Sequence, residues 1–418
     1  MFDLKSIKVA WFLGYRQLVR SSWWSNLLIV LIMVLTFLNL VVISGLLVGL
    51  IQGASNAVKE NYIADIIITK LPEKSFIENS PKIINIIENT PQVESYTARY
   101  ITSGTLESNY KDRSNFDENP GRVSTIIAGI DPHKEDTVTG IKDNLIEGDF
   151  LEKDDFDKIV LGAFLLEKYL NIDSPGFLVL KDIKIGSKIR VDINGNTREM
   201  IVKGILKSKT DEIDRRAFIV DSQLRSMMGR DDNNVGEISI RIQPDQDPNF
   251  VKGIFIKNGV DEFAKVQTFE EGRPKFLDDI TKTFNLLGTI ISSIGLAVAA
   301  ITVFIVIFIN AITRRKYIGI MKAIGVNGKT LELSYIIQSL VYAIIGSIIG
   351  LFVVYVILIP YVDANPINFP FSDGILVAPI LSTSIRVAIL IVVTALAGYI
   401  PSRIIIRKNT LNSILGRN

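Results

Sequence analysis

Apolar residues in this chain come in blocks. Leu27 to Ile51, Phe284 to Ile312 and Leu333 to Ile359 run without a charged side chain, and each exceeds the roughly 20 residues a helix needs to cross a bilayer. Helices of soluble cores are rarely apolar on every face for so long. A fourth block, Val387 to Ile400, is shorter. Extended past Arg386 and Pro401 it predicts a span over 381–404, with Arg386 and Arg403 near the ends, where long side chains reach the headgroups at small cost. The pattern predicts a membrane α-helical protein with four transmembrane helices at 26–53, 284–312, 333–360 and 381–404. Between the first two lies an insert over 54–283.

Within the insert the period changes. Tyr62 to Thr69 is a β-rich run, Ser80-Pro81 is a cap and first-turn pair that starts a helix through Glu88, and Val93 to Leu106 is strand-like. The same order returns near the other end: Gly236 to Ile242 alternates, Pro248 to Lys257 reads as a helix, and Ala264 to Thr268 as a short strand. Two β-α-β halves, 54–110 and 236–283, therefore predict a split α/β subdomain, with 111–235 inserted as a β-rich subdomain. In that middle part Ser187 to Ile193 alternates strictly, Asn194-Gly195 supplies a tight turn and Glu199 to Leu206 returns, a hairpin pattern. Tyr110 to Pro120 is polar and reads as a mobile loop. The fold class is thus four transmembrane helices plus a large extracytoplasmic α+β domain.

Charge sets the orientation. Residues 1–25 carry four Lys and Arg, the loop 313–332 carries five and the segment after Pro401 four, while the outer loop 361–380 carries none. The positive-inside rule places these three basic segments, the 405–418 tail included, in the cytoplasm and the 54–283 domain outside the bacterial plasma membrane. That domain holds 32 basic and 40 acidic residues against a chain total of +2, which argues against nucleic-acid binding. Cysteine is absent, so neither disulfides nor thiolate metal sites contribute. Lys5, Lys8, Arg16 and Arg20 before the first apolar block resemble a secretory signal, but the block is about twice the usual length and lacks a clean cleavage site, so the span is expected to be retained. Ile7, Trp11, Tyr15 and Leu18 recur at helical spacing and predict an amphipathic helix lying on the inner membrane surface, followed by interfacial Trp23 and Trp24.

The most informative segment is the loop from Thr313 to Thr330. It reads as a short amphipathic helix with Ile318, Met321 and Ile324 on one stripe, Arg314, Arg315, Lys316 and Lys322 toward water or lipid phosphate, and Gly325 and Gly328 as breakers. The plainer reading is a basic loop that serves only the orientation rule. Ala323 to Thr330 matches a relaxed phosphate-loop pattern, but it sits between two spans without the preceding strand that such a loop needs. Gly288 with Ser292, Gly295 with Ala299, and Gly346 with Gly350 are small residues four apart, which let helix backbones approach within or between subunits. Asn39 and Gln338 are the main polar side chains within spans, so a charge pathway through the bilayer is not expected. His133, the single histidine, reads as part of a surface loop and cannot build the usual zinc site alone. The pairs Asp154-Asp155, Asp231-Asp232 and Asp278-Asp279 lack calcium-loop spacing and read as solvated faces.

This order of amphipathic start, span, outer domain and three spans resembles the FtsX/MacB/LolC class of ABC transporter permeases. The most specific local part is Arg314-Arg-Lys-Tyr-Ile-Gly-Ile-Met-Lys-Ala-Ile-Gly325, similar to the motif that follows the second span in that class. Gly129-Ile-Asp-Pro132, Leu145-Ile-Glu-Gly-Asp-Phe150, Val160-Leu-Gly162 and Tyr399-Ile-Pro-Ser-Arg403 are also similar, whereas Lys316 and Tyr317 stand where the class often has a glutamate. The resemblance implies that Arg314, Arg315, Lys316, Ile318, Gly319, Met321, Lys322, Ala323 and Gly325 form the coupling helix that docks on an ATPase. It implies a non-catalytic subunit with no cofactor of its own, ATP and Mg being held by a separate ATPase subunit dimer. Further implied partners are a second permease copy or a paralogue, membrane lipid, and a periplasmic adaptor or carrier protein. The implied work is mechanotransmission, to extrude or release a lipoprotein, lipid, peptide or drug. The rival readings are a membrane-anchored receptor or scaffold that needs no ATPase, and an FtsX-like regulator of cell-wall hydrolases.

Overall fold

The computed structural model describes residues 4–110, 121–170, 178–365, 367–369, 372–374 and 376–407. All but the first residue of the polar loop expected over 110–120, and most of the 405–418 tail, lie outside the described residues. The described chain separates into two units, one built from the segment up to Ile51 with Asp278–Phe369 and the C-terminal part, the other mainly from Gln52–Leu277.

Among the described residues four helices are long and apolar enough to cross a membrane: Trp23–Ile63, Lys275–Thr313, Gly328–Ala364 and Ile380–Ile406, the first to fourth spans. Local chemistry sets their ends. The Asn327 side chain accepts from the Lys329 backbone N–H at 3.1 Å and caps the third span, so Gly328 opens a helix instead of breaking one. The fourth span runs through Pro401, which membrane helices tolerate where neighbours satisfy the freed backbone groups. Arg386 turns inward and donates to the Ser44 hydroxyl of the first span at 2.5 Å. A hydrogen-bond acceptor inside the bundle replaces the headgroup contact expected from its place near a helix end.

Close approach of these helices rests on small residues. A Cβ on Gly346 would collide with Met33, one on Gly350 with the Phe37 ring, and one on Gly295 with the Asn39 side chain. Gly288 is looser, since its Cβ would lie 3.4 Å from Leu47. Ala299 is buried and Ser292 half-buried. These contacts are made within one chain. Asn39 opens a π turn, Asn39–Ile43, in the first span. Gln338 donates to the Tyr342 hydroxyl at 3.3 Å, which in turn donates to Asn26 at 2.6 Å. The amphipathic start is a helix, Leu4–Val19, that buries Ala10 and lays Gly14 on Ser334 and Ile337 of the third span, leaving Ile7, Trp11 and Tyr15 exposed.

Among the described residues the second unit contains ten strands: β1 (Ile66–Lys70), β2 (Val93–Glu107), β3 (Arg122–Ile130), β4 (Leu145–Gly148), β5 (Lys158–Gly162), β6 (Lys188–Ile193), β7 (Asn196–Leu206), β8 (Arg216–Val220), β9 (Glu237–Ile242) and β10 (Ala264–Thr268). The order β10-β1-β9-β2 is antiparallel throughout. The helices Ser80–Glu88 and Pro248–Lys257 pack Ile83, Ile87, Val251 and Phe255 onto Ile66, Ile68, Ile238 and Ile240. The two β-α-β halves thus interleave in one sheet. β2 is long enough to serve twice: its first half pairs with β9 and its second with β3 and β6. From there β3 pairs with β8, β8 with β5, β5 with β7, β7 with β6, and β6 with β2. The pairing closes on itself into six strands around a core that includes Leu106, Ile127, Ile189, Val191, Val202 and Ile219. The β6-β7 hairpin turns at Asn194 and Gly195, with φ of 52° and 86°, as its sequence required.

Three expectations are corrected here. The run Tyr62 to Thr69 is not one strand. The helix of the first span continues through a π turn at Lys59–Ile63, Ala64 reverses the chain at φ 59°, and β1 starts at Ile66. Burial of Tyr62 and Ile63 in the core of this unit outweighs their strand propensity. His133 lies in a helix, Pro132–Thr139, whose N-terminus is capped by Asp131 accepting from the His133 and Lys134 backbone N–H groups. Asp155 is buried instead of solvated, because its carboxylate accepts from Lys158 and Lys203, each at 2.6 Å, and from the Glu152 N–H at 2.8 Å.

Candidate functional site

The loop between the second and third spans is a helix, Arg315–Ala323, ended by Gly325 at φ 94°. A residue advances about 100° around a helix, so three-residue steps drift by about 60° each. Ile318 and Ile324 therefore point about 120° apart. The structure shows the outcome: Ile318 is 2% exposed and packs with Gly319 and Met321 toward the bundle, whereas Ile324 is 75% exposed. The single apolar stripe expected from the sequence is in fact two faces. The outer face carries Tyr317, 67% exposed, with Ile320, Ile324, Lys316 and Ala323.

The basic residues divide in the same way. Lys316 is exposed, whereas Arg314, Arg315 and Lys322 are half-buried. Lys322 donates from Nζ to the Ile406 carbonyl at 2.9 Å. The last carbonyls of a helix have no partner within it, and a lysine there satisfies one of them and opposes the helix dipole. Lys322 thereby fastens the loop helix to the end of the fourth span. Tyr317 and Ile320 were missed in the sequence; their i, i+3, i+7 spacing with Ile324 was the available signal.

A second polar cluster lies inside the second unit. Arg99 of β2 is fully buried and donates to Glu135 at 2.6 to 3.0 Å, to Glu237 at 2.9 Å, to Ser239 at 3.1 Å and to the Tyr62 carbonyl at 3.0 Å. Arg216 of β8 donates to Glu237 and to the Tyr62 hydroxyl, both at 3.0 Å, and that hydroxyl donates to Glu237 at 2.8 Å. Burial pushes the Glu237 carboxyl up, but the Arg216 and Arg99 guanidinium groups more than offset it and hold it at about 2. Two arginines balance two glutamates, so the cluster is a compensated clamp. It ties Tyr62, in the last turn of the first span's helix, to β2, β8 and β9. Although Gly236 to Ile242 alternates apolar and polar residues, Glu237 and Ser239 are buried.

Residues 289–410 match the family FtsX-like permease C-terminal. An uncharacterized ABC transporter permease of Methanocaldococcus jannaschii is 23% identical over 243 residues, covering 56% of this chain and 59% of that one. The macrolide export ATP-binding/permease protein MacB of Haemophilus ducreyi is 31% identical over 124 residues, covering 28% of this chain and 17% of that one. The chain thus spans less than two thirds of the length of the curated relatives it matches. Among solved structures, the periplasmic region of MacB from Actinobacillus actinomycetemcomitans is similar at 15% identity and a TM-score of 0.36, over 51% of this chain and 92% of that one. The extracellular domain of the ABC-type transporter YknZ from Gram-positive bacteria is similar at 15% identity and a TM-score of 0.31, over 48% and 98%. The family match takes in most of the second span, the loop helix and the third and fourth spans; over that part the chain is similar to FtsX-like permeases, and the two relatives it matches in part are ABC transporter permeases.

Proposed function

We propose that this chain is the membrane subunit through which an ATPase dimer moves an extracytoplasmic domain, with the loop helix Arg315–Ala323 as the contact. The observation that carries the reading is the division of that helix. Ile318 and Lys322 fasten it to the bundle, while Tyr317, Ile320 and Ile324 stand exposed on its outer face. A helix held on one side and bare on the other can pass a push into the second and third spans that flank it. The first span's helix continues through the π turns at Asn39–Ile43 and Lys59–Ile63, and Tyr62 in its last turn enters the buried clamp. ATP binding shifts the permease between two states only by its differential affinity for them, and the continuous helix is the path along which that difference would pass.

In this reading the basic segments and both termini are cytoplasmic and the ten-stranded unit is outside the plasma membrane. The chain works with a second copy or a paralogue and acts on a substrate taken from the outer compartment or outer leaflet. Co-purification with the ATPase tests it. Tyr317→Asp combined with Ile320→Asp should abolish recovery of the ATPase while the permease still folds and inserts; unchanged recovery contradicts the proposal. Orientation is tested separately, since the native chain lacks cysteine. A cysteine at exposed Lys153 should react with an impermeant reagent added outside, and one at Lys316 should not.

A further inference from the structure

A groove of about 850 Å³ opens beside the loop helix, between the third and fourth spans. Four basic residues line its mouth: Lys322, Lys329, Arg403 and Arg407, against the single acid Glu332. Below them the walls are apolar, made by Leu333, Ile336, Val392 and Leu396. From Asn327 to Ile336 the third span descends about 13 Å, and from Arg407 to Val392 the fourth descends about 22 Å, at 1.5 Å per residue. The hydrocarbon half of a bilayer is about 15 Å deep. The groove therefore starts at headgroup level and continues into the acyl region.

Some of the polar groups at the mouth are held in place. Lys322 is fixed on the Ile406 carbonyl, and Arg403 donates to the Tyr399 hydroxyl at 2.7 Å, so those two cations are positioned by the fold. Lys329 and Arg407 are exposed beside them. We infer that this groove binds one anionic phospholipid, its phosphate among Lys322, Lys329, Arg403 and Arg407 and an acyl chain along Leu333, Ile336 and Leu396. A basic rim above an apolar slot between spans suits this ligand class. A soluble protein segment would match the rim alone. The inference rests on the bilayer reading of the spans and is independent of ATPase docking.

The test uses the full chain without an ATPase, reconstituted in nanodiscs of equal phosphatidylglycerol and phosphatidylcholine, released into mild detergent and weighed by native mass spectrometry. The chain should retain one phosphatidylglycerol at least about tenfold over phosphatidylcholine. Arg407→Gln, an exposed change that leaves folding intact, should weaken retention about fivefold, and adding Lys329→Gln and Arg403→Gln should bring it to the phosphatidylcholine level. Leu396→Trp, which fills the slot and spares every charge, should also lose the lipid. Equal retention of the two lipids overturns the proposal, as does an Arg407→Gln protein that binds like wild type. Complete displacement by millimolar inorganic phosphate would make it a headgroup site alone and overturn it as well. If the charge variants keep phosphatidylglycerol here but lose the ATPase in the separate co-purification described above, the groove belongs to a protein partner and the lipid assignment fails.

Discussion

The Arg99 guanidinium lies 2.6 Å from the Glu135 carboxylate with both side chains fully shut off from solvent. A charge pair in that position is costly to desolvate, and removing one member leaves the other uncompensated at a cost of about 3–5 kcal/mol. Glu135→Ala should therefore destabilise the outer unit by that amount. The three tryptophans, Trp11, Trp23 and Trp24, all lie outside this unit, so the change is best followed by urea-dependent proteolysis of the full chain. Lys74→Ala, which removes an exposed pair with Glu78, should leave the midpoint essentially where it is.

The same clamp predicts an acid response. Glu237 is held at about 2, below its ordinary value of 4.5. A carboxylate depressed in the folded state contributes stability that is fully present above the unfolded value and is lost as pH falls from about 4.5 to about 2. Asp214 moves the other way, because burial pushes it up to about 6 despite hydrogen bonds from Ser208 and Lys209. Its contribution declines as pH rises from about 4 to about 6. Glu237→Gln should flatten the acid limb of a stability–pH curve, and Asp214→Asn the limb between 4 and 6; denaturation midpoints across pH check both.

Glycine positions separate packing from propensity. Gly350→Leu must push into the Phe37 ring and should lower the melting temperature in detergent, with an overpacking cost of about 1–3 kcal/mol or more. Gly253 sits in the helix Pro248–Lys257 with open space around it. Gly253→Ala should stabilise the outer unit by about 0.5–1 kcal/mol.

Much of the architecture was legible in the sequence for physical reasons. The spans announce themselves because uncharged runs such as Leu27 to Ile51 have no other use, and the β6-β7 hairpin because Asn194-Gly195 takes positive φ readily. What escaped was long-range. Tyr62 and Glu237, 175 residues apart, share a buried hydrogen bond that no local period reveals, and it is this burial that makes a helix end of what reads as a strand. In the loop, the expected helix is present, but the single apolar stripe failed at Ile324 because three-residue spacing drifts around a helix. Lys322 looked like a solvated cation and is a cap, since its partner Ile406 lies 84 residues away.

The central claim is that the outer face of Arg315–Ala323 carries ATP-driven motion to the outer unit. Its most direct test is a spin label at Lys153→Cys in the chain assembled with its ATPase, with label-to-label distances between two permease copies measured with and without a non-hydrolysable ATP analogue. The distance distribution should shift on nucleotide binding and stay fixed when Ile320→Asp is added under conditions that keep the ATPase bound. A shift that survives Ile320→Asp unchanged, or a distribution that ignores nucleotide in the native loop, contradicts the account.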